Sequence, residues 1–404
     1  MYSYDFIFIG GGISSLYCVY KLLKNYPNLK VLLLEKTERL GGKTWKETFC
    51  NTRIVVGAGV LRKTDTLMIK LIKELKINYT ESIHPIYKLI SLDKTINIKD
   101  SFLKLKKEYN CNPAKYDNLT FKKFGTEILG SKLYKQFRLN SEYTDFDNQN
   151  VYDTLYNYGY EGNYNNEKVL FVDWTVLVNL IKDKLNTYAH FKLIKNINVQ
   201  SIIHNDFFTV KTNKHDYYAK HLVSGTDIKS FHKIFSNLPK TVLQPYKLIK
   251  GQPFLLLYAK FSKASTIILK NTIKGFTIVP GILNKIIPID PNNGIYIISY
   301  SDNENAIKLK PYIKNKSYLE NLITKTLNVD KLEILKLHHY YWENGTHYYK
   351  PFLHLYSRKE FINKIQFPVK NLYIIGDMVS INQGWVNGTV ASALNVIEKI
   401  KTIM

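Results

Sequence analysis

The sequence predicts an α/β protein in which a dinucleotide-binding domain is interrupted by a second domain of α+β character. Three observations predict it. Residues 5–9 (DFIFI) form a short apolar run that leads straight into Gly10, Gly11 and Gly12. Residues 30–35 (KVLLLE) form a second apolar run ending in Glu35, 23 positions beyond Gly12. Residues 372–377 (LYIIGD) repeat the motif of an apolar strand ending in glycine and an acid. A strand that enters a helix through a glycine-rich turn makes a phosphate cradle, because the free N–H groups opening the helix face the negative charge. An acid at the end of the second strand stands where such a unit accepts hydrogen bonds from a ribose.

Within the first unit, Gly10 permits the tight turn and Gly12 lets a pyrophosphate approach the backbone, with Ile13 and Ser14 opening the helix that continues over residues 16–24. Ser15 replaces the third glycine of the pattern and is small enough to keep helix and strand close. Arg39, Leu40, Gly41, Gly42 and Lys43 then add a second glycine pair behind an arginine. Glu35 with Arg39, Gly41 and Gly42 resembles the FAD signature of the flavin-dependent amine oxidases, the family of monoamine, polyamine and L-amino-acid oxidases. Lys43 stands where that family usually has arginine.

The resemblance implies FAD as cofactor, held by Gly10, Gly12, Ile13, Ser14, Glu35, Arg39, Gly42 and Lys43. It also implies a discontinuous Rossmann-like FAD domain of the GR2 type, over residues 1–78, 171–244 and 356–404. A substrate domain is expected over 79–170 and 245–355.

The apolar strand at 53–56 leads into Gly57, Gly59 and Val60, where small residues let backbone lie against a flat ring; the resemblance makes these three flavin contacts. Arg62 follows and offers a charge to an anionic group near the flavin. Residues 79–159 are polar, tyrosine-rich and helical in patches, without dinucleotide character. After Asp173, Trp174 and the apolar helix residues Val176, Leu177, Leu180 and Ile181, short alternating strands are expected at 199–203, 207–212 and 217–223. Val199 takes the place where the family contacts adenine. Further strands are expected at 253–259 and 294–300, and the residues at 300–306 are given a structural role. Trp342, His347 and Tyr348 belong to an aromatic cluster that corresponds to the family's pocket walls. Gly376, Asp377, Gly384, Trp385 and Val386 resemble the family's closing motif, an acid on the ribityl or pyrophosphate side and a turn whose helix faces the flavin pyrimidine. Asn387 stands where many members have glutamate.

At 404 residues with 45% hydrophobic content the chain can hold two domains with a sizeable core. Cys18, Cys50 and Cys111 are too few and scattered for a disulfide framework or metal cluster, which indicates a reducing compartment. Neither a signal peptide nor a membrane span is read, so the expected setting is cytoplasm or a virion. The net charge of +24 comes mostly from lysine, with arginine only at positions 39, 53, 62, 138 and 358. With abundant asparagine, isoleucine and tyrosine, this fits an AT-rich coding genome such as a large DNA virus carries, in preference to a selected nucleic-acid surface.

The function implied by the resemblance is oxidation of a C–N bond in a small-molecule amine or amino-acid-like substrate by hydride transfer to flavin. Two alternatives stand beside it: a desaturase or porphyrinogen-type oxidase, and a basic flavoprotein with a structural or packaging role. The FAD is expected to be non-covalent, since the family's cysteinyl attachment lies in the C-terminal third and all three cysteines precede residue 112. A net charge of +24 repels a polycation and no acidic cluster is evident in the sequence, so polyamines are expected to be poor substrates; an amine with a carboxylate or an aromatic body fits better, with Arg62 the first candidate to pair with that carboxylate. The lysine that many members place near flavin N5 aligns with Phe254 or Leu255, with Lys250 upstream. Slow reoxidation by oxygen is the consequence.

Overall fold

The computed structural model describes residues 3–83, 86–88, 96–156 and 168–404. Tyr4–Ile9 pairs in parallel with Val31–Leu34 on one side and Asp216–Ser224 on the other. The resulting seven-stranded sheet runs Val199–His204, Phe208–Thr212, Asp216–Ser224, Tyr4–Ile9, Val31–Leu34 and Phe191–Ile194, with Leu372–Ile374 also paired to Asp216–Ser224. Asp216–Ser224 serves two partners in succession. Its first residues pair antiparallel with Phe208–Thr212, and Leu222, Val223 and Ser224 pair in parallel with Leu372–Ile374. The beginning, middle and end of the chain therefore meet in one sheet.

Phe6 and Phe8 pack with Leu16 and Leu23 of the Ile13–Asn25 helix, Leu177 and Ile181 of Trp174–Leu185, and Val390 and Val396 of Val386–Lys401. Ile7 and Ile9 face the opposite side, against Phe231, Ile234 and Phe361. Both faces are covered, which is why residues 5–9 and 31–34 read as continuous apolar runs and not as alternating strands. Full burial of each such side chain contributes roughly 1.5–3 kcal/mol.

A six-stranded sheet runs Ile334–Tyr349, Ile249–Phe261, Ile295–Asp302, Lys285–Asp290, Phe276–Ile278 and Ile86–Lys88. Here alternation is clean. Leu255, Leu257, Ala259 and Phe261 pack on Leu269 of Lys263–Thr272 and on Leu319 and Ile323 of Lys316–Leu327. Phe254, Leu256 and Tyr258 turn the other way, toward Phe49 and Ile54. The aromatic cluster around residue 342 is part of a 16-residue strand, longer than its composition suggests.

Residues 98–156 are helical, with Phe102, Phe121, Phe124 and Phe137 in a core of their own. The strands flanking that region, Tyr79–Ile83 and Lys168–Val172, pair antiparallel with each other, and Leu61–Arg62 joins them. Of the expected polar stretch at 79–159, residues 84, 85, 89–95 and 157–159 lie outside the described residues.

Candidate functional site

A cavity of about 1230 Å³ runs between the two large sheets. At one end it is lined by Gly10, Gly12, Ile13, Ser14, Glu35, Gly42, Lys43 and Val199. Gly10 has φ +92°, a conformation side chains rarely tolerate. Gly12 is the N-cap of the Ile13–Asn25 helix, has no side-chain cap, and leaves open space where a Cβ would stand. The first N–H groups of that helix are thus available to a ligand from the cavity. Behind it, a Cβ on Gly225 would come within 2.5 Å of Ser15 Oγ, so Ser15 does keep strand and helix in close contact.

Glu35 Oε2 accepts from the Gly11 N–H at 2.7 Å, while Oε1 accepts from the Thr37 N–H at 2.8 Å and hydroxyl at 2.7 Å. These bonds hold the carboxylate at the cavity wall, and its remaining lone pairs stay available. Arg39 does not line the cavity. Its guanidinium donates to the Gly42 carbonyl at 2.8 Å and the Leu40 carbonyl at 3.3 Å, so it shapes the glycine turn from behind. Lys43 Nζ donates to the Gly345 carbonyl and ties the turn to the second sheet.

In the middle of the cavity lie Gly57, Gly59, Val60, Arg62, Trp342, His347, Gly376, Asp377, Gly384, Trp385 and Val386. A Cβ on Gly59 would meet nothing within 4 Å, which leaves a flat backbone surface. Trp342 is oriented by its indole N–H, which donates to the Val56 carbonyl at 2.7 Å. Asp377 accepts from the Gly384 N–H at 2.6 Å and pairs with His347 Nδ1 at 2.7 Å. Because His347 Nε2 accepts from the Ile228 N–H at 3.4 Å, the Nδ1 position carries the proton. Burial alone would raise the Asp377 carboxyl, but the His347 bond, the Lys43 charge and the Gly384 N–H hold it below its ordinary value. Asn387, where the family often has glutamate, accepts from the Leu67 and Met68 N–H groups at 3.0 and 3.2 Å and so joins the starts of two helices.

Several expectations need correction. Arg62 is held by the fully buried Asp65 at 2.8 Å and stacks 3.9 Å from the Trp385 ring, so its charge is engaged within the protein and is not held ready for a substrate carboxylate. Tyr348 does not line the cavity, since it follows His347 on the strand and faces the other side, opposite Lys250. Phe254 faces the cavity and Leu255 the core behind it. The register does shift between Gln252 and Phe254, yet Lys250 does not reach the cavity wall.

The largest departure is at the far end, which Glu142, Tyr143, Asp145, Tyr300 and Asp302 line. The expectation of no acidic cluster is overturned. Three buried carboxyls stand there around Lys285, whose ammonium lies 3.8 Å from the Tyr143 ring and 4.0 Å from the Tyr300 ring. Burial lowers Lys285 to about 8, against the pull of Asp302, Glu142 and Asp145. Burial and the neighbouring Asp302 drive the Asp145 carboxyl well above its ordinary value. Residues 300–306, read as structural, thus contribute a cavity wall through Tyr300 and Asp302. The cluster escaped the sequence reading because its members come from residues 142–145, 285 and 300–302; the one signal was a lysine ahead of the apolar residues 286–289.

Comparison with known proteins agrees with this architecture. A family described as NAD(P)-binding Rossmann-like domain matches residues 9–75. Cyclohexylamine oxidase from Brevibacterium oxydans IH-35A is similar with a TM-score of 0.75 and 17% identity, covering 98% of this chain and 99% of that one. A protein assigned as a protoporphyrinogen oxidase from Exiguobacterium sp. 255-15 is similar with a TM-score of 0.72 and 14% identity, covering 100% of both. Uncharacterized protein R188 of Acanthamoeba polyphaga mimivirus is 36% identical over 76 residues, which is 18% of this chain and 15% of that protein. The chain has the α/β fold of the FAD-dependent amine oxidases, with a Rossmann-like domain and an additional sheet domain. No helix among the described residues is long and apolar enough to cross a membrane.

Proposed function

On this fold, we propose that the chain is an FAD-dependent oxidoreductase that oxidises a C–N bond of a small-molecule amine. The observation that carries the reading is a single cavity joining an uncapped glycine turn to an aromatic, acid-lined end. The residues fit the cofactor. Gly12 and the helix behind it are open to a pyrophosphate, Glu35 faces the cavity as a ribose acceptor, and Gly57, Gly59 and Val60 offer a surface for a flat ring. FAD would supply the hydride acceptor for the C–H bond adjacent to nitrogen. Asp377, positioned by His347 and Gly384, would face the ribityl or pyrophosphate part, and Trp385 and Val386 the pyrimidine edge.

We assign residues 1–78, 171–244 and 356–404 to the FAD domain and 79–170 and 245–355 to the substrate domain. The FAD is non-covalent in this reading, which is supported by the absence of Cys18, Cys50 and Cys111 from the residues that line the cavity. The three thiols are free, in keeping with a reducing setting such as the cytoplasm or a virion interior.

The test is to load the protein with FAD, reduce it anaerobically with a panel of primary amines and follow the loss of yellow absorbance. Acid precipitation should release the flavin. Loading without reduction by any amine would refute the amine assignment. A second reading, desaturation of a flat apolar molecule, draws on the wall made by Phe254, Tyr300 and Trp342 and is separated by the same panel extended to such molecules. With Phe254 in the place of the expected lysine, reoxidation by oxygen should be slow. Rapid mixing of the reduced protein with aerated buffer measures it.

A further inference from the structure

The acid-lined end contains one carboxyl that its neighbours do not use. Asp302 accepts from the Thr144 N–H at 3.0 Å and from the Thr144 hydroxyl. Asp145 accepts from the Thr346 hydroxyl at 3.1 Å. Lys285 rests on two tyrosine rings among the three acids. Glu142, on the turn that follows the Ser131–Asn140 helix, is only 7% exposed and lines the cavity. Among the described residues its carboxyl makes no hydrogen bond or ion pair; its influences are burial and the charge of Lys285 at longer range. Behind the lining, the Gln252 amide nitrogen donates to the Asp145 carbonyl at 2.6 Å and holds that segment in place. A buried carboxyl without a hydrogen-bond partner beside open volume is costly to maintain unless a ligand completes it.

Resting on the amine reading, we propose that Glu142 binds the substrate's ammonium group and takes its proton. The step balances without a further reactant. One N–H bond of the ammonium breaks, an O–H bond forms on the Glu142 carboxylate, and the electron pair stays on nitrogen. The product is the neutral amine, whose lone pair is what loss of hydride from the adjacent carbon requires. The groups facing Glu142 are Tyr143 and Asp145 from its own segment, Tyr300 and Asp302 from Ile295–Asp302, and Lys285 from Lys285–Asp290. Burial raises the Glu142 carboxyl to about 7, partly offset by Lys285, which matches its proton affinity to neutral solution. Asp145, whose carboxyl burial and Asp302 push well above its ordinary value and which already accepts from Thr346, is less suited to the same task.

The test uses FAD-loaded protein, with tert-butylamine hydrochloride as a probe that has no hydrogen on the carbon bearing nitrogen and so binds without being oxidised. Calorimetric titration of the wild type between pH 5.5 and 8.5 should show affinity falling as pH drops through about 7. Glu142→Gln should bind about tenfold more weakly or worse at pH 8, with that pH dependence flattened. Glu142→Asp, which keeps the charge, should retain part of the affinity, and it serves in place of Glu142→Gln if the latter does not fold. Anaerobic reduction by benzylamine is followed in parallel. Equal probe affinity and equal pH profiles in wild type and both variants, all still reduced by benzylamine, would overturn the role of Glu142 and leave the amine reading standing. A flavin-loaded wild type that neither binds the probe nor is reduced would overturn both.

Discussion

The two ends of the cavity are built by opposite means. The glycine end comes from residues close together in sequence, at 10–14, 35 and 39–43, and works through backbone: a turn at φ +92°, uncapped N–H groups, and surfaces without side chains. The acid end is assembled from three distant segments and works through side-chain charge, with Lys285 among Glu142, Asp145 and Asp302. Backbone dipoles do not titrate, whereas the acid end must respond to pH. In the proposed function, cofactor retention belongs to one end, and recognition and proton handling to the other.

The strongest way to break this division is at Lys285. Lys285→Met removes the cation set among three buried carboxyls and should destabilise the fold by about 3–5 kcal/mol at pH 6.5, where Lys285 is charged, read from urea unfolding. FAD retention at equal folded concentration should be unchanged. A matching loss of FAD affinity would show that the ends are not separable. The converse change, Glu35→Ala, should weaken FAD binding by about 1.5–3 kcal/mol through loss of charge-assisted hydrogen bonds to the ribose. Dialysis followed by flavin absorbance measures it, and undiminished retention would remove Glu35 from the cofactor site.

A pH titration of stability sharpens the contrast. Glu142 has its folded carboxyl raised to about 7 by burial, so the folded state keeps a proton that the unfolded chain releases from about 4.5 upward. Its contribution is present below 4.5 and is lost as pH rises through 7, at roughly 1.4 kcal/mol for each pH step between those two values. His221 has the opposite sign. Burial lowers it to about 4, so the unfolded state binds the extra proton between 4 and 6.5 and stability rises with pH there. The difference between wild type and Glu142→Gln across pH 4.5–7 isolates the first slope, and parallel curves would show that Glu142 is not held protonated. The smallest effect belongs to Asn387→Ala, which leaves the Leu67 and Met68 N–H groups without their cap and should cost about 1 kcal/mol in thermal unfolding.

The sequence by itself determined the class of fold and the glycine end. Strands buried on both faces write themselves as unbroken apolar runs, and a phosphate turn needs glycine at defined offsets, so both leave local marks that survive without any knowledge of the rest of the chain. Composition also showed a chain able to form a large core. Tertiary structure alone decided the rest. Arg62 looked available until folding set it against Asp65, and Tyr348 looked like a pocket wall until strand alternation turned it away. Asp302 and Lys285 became neighbours of Glu142 and Asp145 because Ile295–Asp302 pairs with Lys285–Asp290 and the 141–148 segment closes over them. The physical reason is range. Backbone geometry is set by adjacent residues, whereas this charge cluster depends on strand register between segments up to 158 positions apart, and register is settled only when the sheets bury their apolar faces.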